Sequence, residues 1–153
     1  GDQLELFEDR VRIDRVRVLG PTRDETQVEI ARTEEFKLGV DAPVRMSGEL
    51  EGTPGIALEG PAGRIELSRG VICAARHIHM SPADALAFAV RDRDVVHIRV
   101  SGDRSLTFGG VVVRVRPDFK LDMHIDTDEA NAAEISAGAL GYLDSIQHRA
   151  ATV

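Results

Sequence analysis

The run Arg76-His77-Ile78-His79-Met80 sets two imidazoles two positions apart in a chain that holds only five histidines. On an extended strand alternate side chains share a face, so His77 and His79 point one way and Arg76, Ile78 and Met80 the other. Two converging imidazoles can hold a metal ion or an anion, or can be two polar residues on a solvent face, and the pair alone does not choose. Two further residues bear on the choice. His124, in Asp122-Met123-His124, ends a second extended run just before a helix start. Glu29, in Gln27-Val28-Glu29-Ile30, shares a face with Gln27 and lies opposite Val28 and Ile30. Three imidazoles and one carboxylate make a donor set suited to zinc, and such ligands come from well-separated strands.

Other reactive residues have plainer readings. His97, in Asp94-Val95-Val96-His97, reads as a strand-surface histidine, and His148 as a solvated residue near the chain end. Cys73, on the strand leading to His77, reads as a small core residue; a nucleophilic thiol needs a base and a depressed pKa, and the sequence offers neither. Arg23 sits in a turn six residues before Glu29. Its planar fork suits phosphate oxygens, but spacing alone makes it an ordinary surface arginine.

The elements that must position these residues are mostly short strands. Val- and Ile-rich runs with apolar/polar alternation recur along the chain, as in Leu4–Phe7, Val11–Gly20, Gly55–Gly60, Gly70–Met80 and Ser105–Arg116. Gly- and Pro-containing turns such as Glu51-Gly52-Thr53-Pro54-Gly55 separate them. Helix signals are few. Ser81 is an N-cap before Pro82 and Asp84, and residues 32–38 predict two turns ending at Gly39. Asp126 with Glu129 three residues on forms a capping-box pattern. After Gly138, residues 139–150 are expected to form a separate short helix. The pattern predicts a mainly β chain of small barrels or a sandwich.

Bulk properties narrow the class. The chain has 153 residues, 42% hydrophobic and 29% charged, so it can bury a core. Aromatics are only 4% and Trp is absent, so that core must be Val, Ile, Leu and Ala. The net charge of −7 argues against nucleic acid as the main partner. The single cysteine precludes an internal disulfide. No apolar run approaches the roughly 20 residues that span a bilayer as a helix, so no membrane partner is expected.

Three stretches, residues 16–56, 70–85 and 118–133, carry a closer likeness. They begin Val-Arg-Val-Leu-Gly-Pro-Thr-Arg, Gly-Val-Ile-Cys-Ala-Ala-Arg-His-Ile-His-Met and Asp-Phe-Lys-Leu-Asp-Met-His-Ile-Asp-Thr-Asp-Glu-Ala-Asn. This sequence resembles the microcompartment-associated phosphate propanoyltransferases, zinc-dependent phosphotransacylases. The resemblance implies two small β-barrels capped by short α-helices, here 1–74 as a central-segment barrel and 75–153 as a C-terminal barrel with helices. It implies exchange of acyl-CoA (propanoyl-CoA or acetyl-CoA) and phosphate for acyl phosphate and CoA. It assigns Glu29, His77, His79 and His124 as zinc ligands and Arg23 as the residue serving phosphate.

Two departures accompany the likeness. In the family an N-terminal segment supplies a second arginine-histidine-x-histidine motif and a strand of the first barrel, whereas no histidine precedes Glu29 here. The expectation is a chain lacking that segment, with an incomplete metal pair, poor phosphotransacylase activity by itself and a first barrel missing its N-terminal strand, which would form a homo-oligomer or take a strand from a partner segment. Ala89 and Arg93 stand where family members often carry glycines, which implies an altered turn. The resemblance also implies a cytoplasmic location, with the lumen of a bacterial microcompartment as a further possibility. Two other functions use the same residues: a non-catalytic zinc-binding or assembly module, and a zinc hydrolase whose action would be independent of phosphate.

Overall fold

A computed structural model describes residues 3–8, by their backbone alone, and residues 11–151. The chain divides into two compact units, residues 1–74 and 75–153. It is mainly β, with three short helices, as the alternating pattern predicts.

The first unit holds β1 (Gln3–Glu8), β2 (Val11–Arg17), β3 (Val28–Glu29), α1 (Arg32–Leu38), β4 (Val44–Arg45), β5 (Ile56–Gly60), β6 (Gly63–Leu67) and β7 (Val71–Ala74). Its strands form one antiparallel sheet in the order β2-β1-β5-β6 and a small parallel one, β3-β7-β4. Val28, Ile30, Leu38, Ala42, Ile56, Leu58 and Val71 make its core. α1 ends where expected, on Gly39 at φ 70°. Gly70 has a positional reason: at φ 120°, a Cβ there would stand 2.5 Å from the Thr26 carbonyl oxygen. That close approach lets the Val28 amide donate to the Gly70 carbonyl at 2.8 Å, which sets the strand carrying Glu29.

The second unit holds β8 (His77–Met80), α2 (Pro82–Ala87), β9 (Val95–Val100), β10 (Leu106–Val115), β11 (Asp122–His124), α3 (Thr127–Ala132) and β12 (Gly141–His148). They make one sheet in the order β11-β8-β10-β9-β12, in which only β8 and β10 run parallel. The core is aliphatic as composition requires: Ile78, Met80, Val90, Val96, Ile98, Val100, Val111 and Val113, with Phe108 the one aromatic ring. Both predicted caps form. Ser81 accepts from the Asp84 amide and Asp126 from the Glu129 amide, each with the reciprocal bond of a capping box.

One expected element is different. Residues 141–148 are strand β12, paired with β9, rather than a helix. The inward side chains Leu143 and Ile146 are three apart, the spacing of a helix face. Two register shifts against β9, between Leu143 and Ser145 and between Ile146 and His148, create that spacing in an extended chain. The far end of β12 is anchored: the fully buried Asp94 carboxylate accepts from the Ala150 amide and the Arg149 guanidinium, each at 2.8 Å.

Candidate metal centre

β8 delivers its two histidines as alternation requires. Ile78 and Met80 are buried in the core while His77 and His79 are half-buried on the other face. β11 lies antiparallel beside it with His124 directly opposite His77. Directly paired residues share a face, so the third imidazole joins the first two. The ring centroids stand 4.9 Å apart for His77 and His79, 4.8 Å for His77 and His124, and 4.5 Å for His79 and His124.

The donor atoms of these three residues lie within 4.8 Å of one another. Nitrogens bound to one tetrahedral zinc stand about 3.3 Å apart, from bond lengths near 2.0–2.1 Å, so the three donors are spread somewhat wider than a bound ion would hold them. The tautomer of one imidazole is set as well. His77 Nδ1 lies 2.8 Å from the Ala75 carbonyl oxygen and donates to it, leaving Nε2 as the basic nitrogen. His79 is held neutral: burial, followed by the charges of His124, His77 and Arg114, lowers its pKa to about 4. A neutral imidazole is the form that ligates. The chemistry of this set fits a zinc ion.

The surroundings add residues that the sequence reading missed. Phe119 stacks on His79 with centroids 3.9 Å apart and planes 18° apart. The Arg116 and Arg114 guanidinium carbons lie 5.0 and 5.9 Å from the Phe119 ring. Arg114 is directly paired with His79 across the parallel ladder, which puts a cation beside the imidazoles. The only trace of it in the sequence is the alternation Val113-Arg114-Val115-Arg116, and that cannot reveal which strand lies next to it.

Arg23 and Glu29 belong to the first unit. Glu29 is exposed on β3 between buried Val28 and Ile30, the predicted facing. Arg23 Nη1 donates to Ser47 Oγ at 2.7 Å. Gln27 Nε2 donates to the same oxygen at 3.0 Å and to Glu29 Oε1 at 2.5 Å. The Gly48 amide fixes the amide group of Gln27 by donating to its Oε1 at 2.7 Å. Arg23 and Glu29 are thus joined through Ser47, a residue with no chemical signature in the sequence, and Gln27. Elsewhere the plainer readings hold. Cys73 is buried, and His97 Nδ1 lies 3.0 Å from Ser145 Oγ on β12.

The family model described as phosphate propanoyltransferase matches residues 1–136. The chain belongs to this family. A phosphate propanoyltransferase of Thermotoga maritima is 58% identical over 132 residues, which is 86% of this chain and 63% of the relative. One from Salmonella arizonae is 58% identical over 120 residues, 78% of this chain and 57% of the relative. One from Limosilactobacillus reuteri is 55% identical over 128 residues, covering 82% and 59%. The chain therefore spans about three fifths of the length of the phosphate propanoyltransferases it matches. Glu29, His77, His79, His124 and Arg23 all lie inside the matched family segment.

Proposed function

We propose that the protein is a phosphotransacylase, exchanging acyl-CoA and phosphate for acyl phosphate and CoA, with propanoyl-CoA or acetyl-CoA as the acyl donor. Its membership of the phosphate propanoyltransferase family carries the reading, and the three-imidazole cluster supports it. In the reaction a phosphate oxygen attacks the thioester carbonyl, the new C–O bond forms as the C–S bond breaks, and CoA leaves as thiolate. His77, His79 and His124 would hold zinc, and Glu29 of the first unit is the further ligand that the family likeness assigns. A zinc ion there supplies a Lewis acid for the carbonyl oxygen and a soft acceptor for thiolate sulfur.

The remaining work falls to the chain's own groups. Arg23 receives phosphate, its guanidinium presented by the Ser47 hydroxyl. Arg114, beside His79, adds positive charge for an anionic reactant. The one thiol, Cys73, is 4% exposed, which argues against an acyl-enzyme on that residue and favours direct attack by phosphate. The chemistry suits a cytoplasmic or microcompartment enzyme with acyl-CoA as its partner.

The test follows free thiol released from propanoyl-CoA. Release that begins on addition of phosphate and disappears in the His77→Ala/His79→Ala double variant, together with bound zinc, is expected. Thiol release that proceeds equally without phosphate would show a hydrolase, and zinc retained in the double variant would refute the ligand assignment.

A further inference from the structure

Arg76 precedes His77, and alternation turns its side chain away from the imidazoles. On that other face its guanidinium meets three groups on two separate segments, α3 and β10. Nε donates to the Glu129 carboxylate of α3. Nη1 donates to the Gly109 carbonyl at 2.6 Å, where β10 shifts register against β9. Its carbon centre lies 5.7 Å from the Phe108 ring centroid. The Arg76 and Glu129 side chains are 37% and 18% exposed, so the pair is partly desolvated and charge-assisted, unlike an open surface pair.

Glu129 passes the attachment on. Its Oε2 accepts from the Asp126 amide at 2.9 Å, and Asp126 is two residues beyond His124. His77 and His79 sit on β8, which has a ladder on each side, but β11 is a three-residue strand at the sheet edge. Such short edges open locally at low cost. We propose that Arg76 is the positioning residue of the three-histidine centre: by tying the α3 cap to the β10 register shift, it fixes the end of β11 and so holds His124 against His77 and His79. Lysine cannot replace it, because a point charge lacks the planar donors that reach Glu129 and Gly109 together.

The inference rests on the metal reading for only one of its two measurements. Arg76→Gln, Arg76→Lys and Glu129→Gln are made in the full chain; Glu129→Gln keeps an oxygen for the Asp126 amide and guards against loss of folding. Hydrogen exchange is measured without metal, and cobalt is titrated while its ligand-field absorption is followed. Each variant should speed exchange at residues 123–125 by about ten-fold while residues 96–98 stay protected. Each should weaken cobalt binding by about ten-fold, with no rescue by lysine, and an Arg76→Gln/Glu129→Gln double variant should be about as weak as either single one. A uniform rise in exchange through the sheet would reduce Arg76 to a general fold contact. Unchanged exchange at residues 123–125, or cobalt affinity within about two-fold of the parent, would overturn the assignment. A parent chain that takes no cobalt would sink the metal reading, and the exchange pattern would then decide the role of Arg76 alone.

Discussion

His79 carries a pH signature of its own. Burial, then the neighbouring His124, His77 and Arg114, lower its pKa from 6.5 to about 4. Between those values the unfolded chain binds a proton at this residue that the folded chain refuses, so stability rises with pH across the window and levels off above it. Chemical denaturation of the metal-free protein between pH 4 and 7 should show that rise, and His79→Gln should flatten it; an equal slope in the variant would assign the effect elsewhere. Arg23 makes the opposite case, a residue whose removal should spare the fold. It is exposed and bonded to Ser47, so Arg23→Ala should change stability by less than about 0.5 kcal/mol. The same variant should raise the phosphate concentration needed for half-maximal thiol release, and a large fall in melting temperature with unchanged phosphate dependence would mark a structural arginine. At this scale the sequence was most readable where alternation alone decides, as for His77, His79 and Glu29. It was silent about Ser47, Phe119 and Arg114, whose importance depends on which segments become neighbours.

The elements were legible wherever a local signal sufficed. Both capping boxes and the Gly39 stop are written within a few residues of where they act. β12 was not, because register shifts against β9 space its inward residues like a helix, and a shift is a property of two strands rather than one. The turn between α2 and β9 shows the converse, a local signal with a measurable cost. Ala89 and Arg93 have φ of 54° and 67°. A Cβ in this left-handed region costs about 1 kcal/mol, yet the turn is held by Arg93 N donating to Val113 O at 2.8 Å and Val90 N donating to Ala85 O at 3.0 Å. Ala89→Gly and Arg93→Gly should therefore each stabilise the protein by about 0.5–1 kcal/mol, less what glycine's freedom adds to the unfolded chain. Denaturation midpoints decide the matter: destabilisation by both variants would mean that the Cβ contacts outweigh the backbone strain.

At the scale of the molecule, two tendencies oppose each other. Among the described residues the second unit's sheet runs as an open order from β11 to β12, and each edge presents backbone donors and acceptors that invite another strand. A cavity of about 600 Å³ is lined from both edge strands, by Leu121 and Met123 near β11 and by Leu140 and Leu143 near β12, with Met80 and Phe108 behind them. Leu140 and Leu121 are 75% and 51% exposed, so covering them removes apolar surface from water. Against this stands a net charge of −7, which sets two copies repelling each other. Salt separates the two effects. At about 0.1 M ionic strength the Debye length is about 10 Å, and higher salt shortens it while leaving apolar burial intact. We therefore expect light scattering to report a mass that rises above that of the monomer with protein concentration, and rises further as sodium chloride is increased. Lys substituted for Leu140 and Leu121 should abolish the rise if the cavity face drives it. A monomer mass that holds at every concentration and salt would show that the open edges are self-sufficient, and that neither a second copy nor a recruited strand is needed.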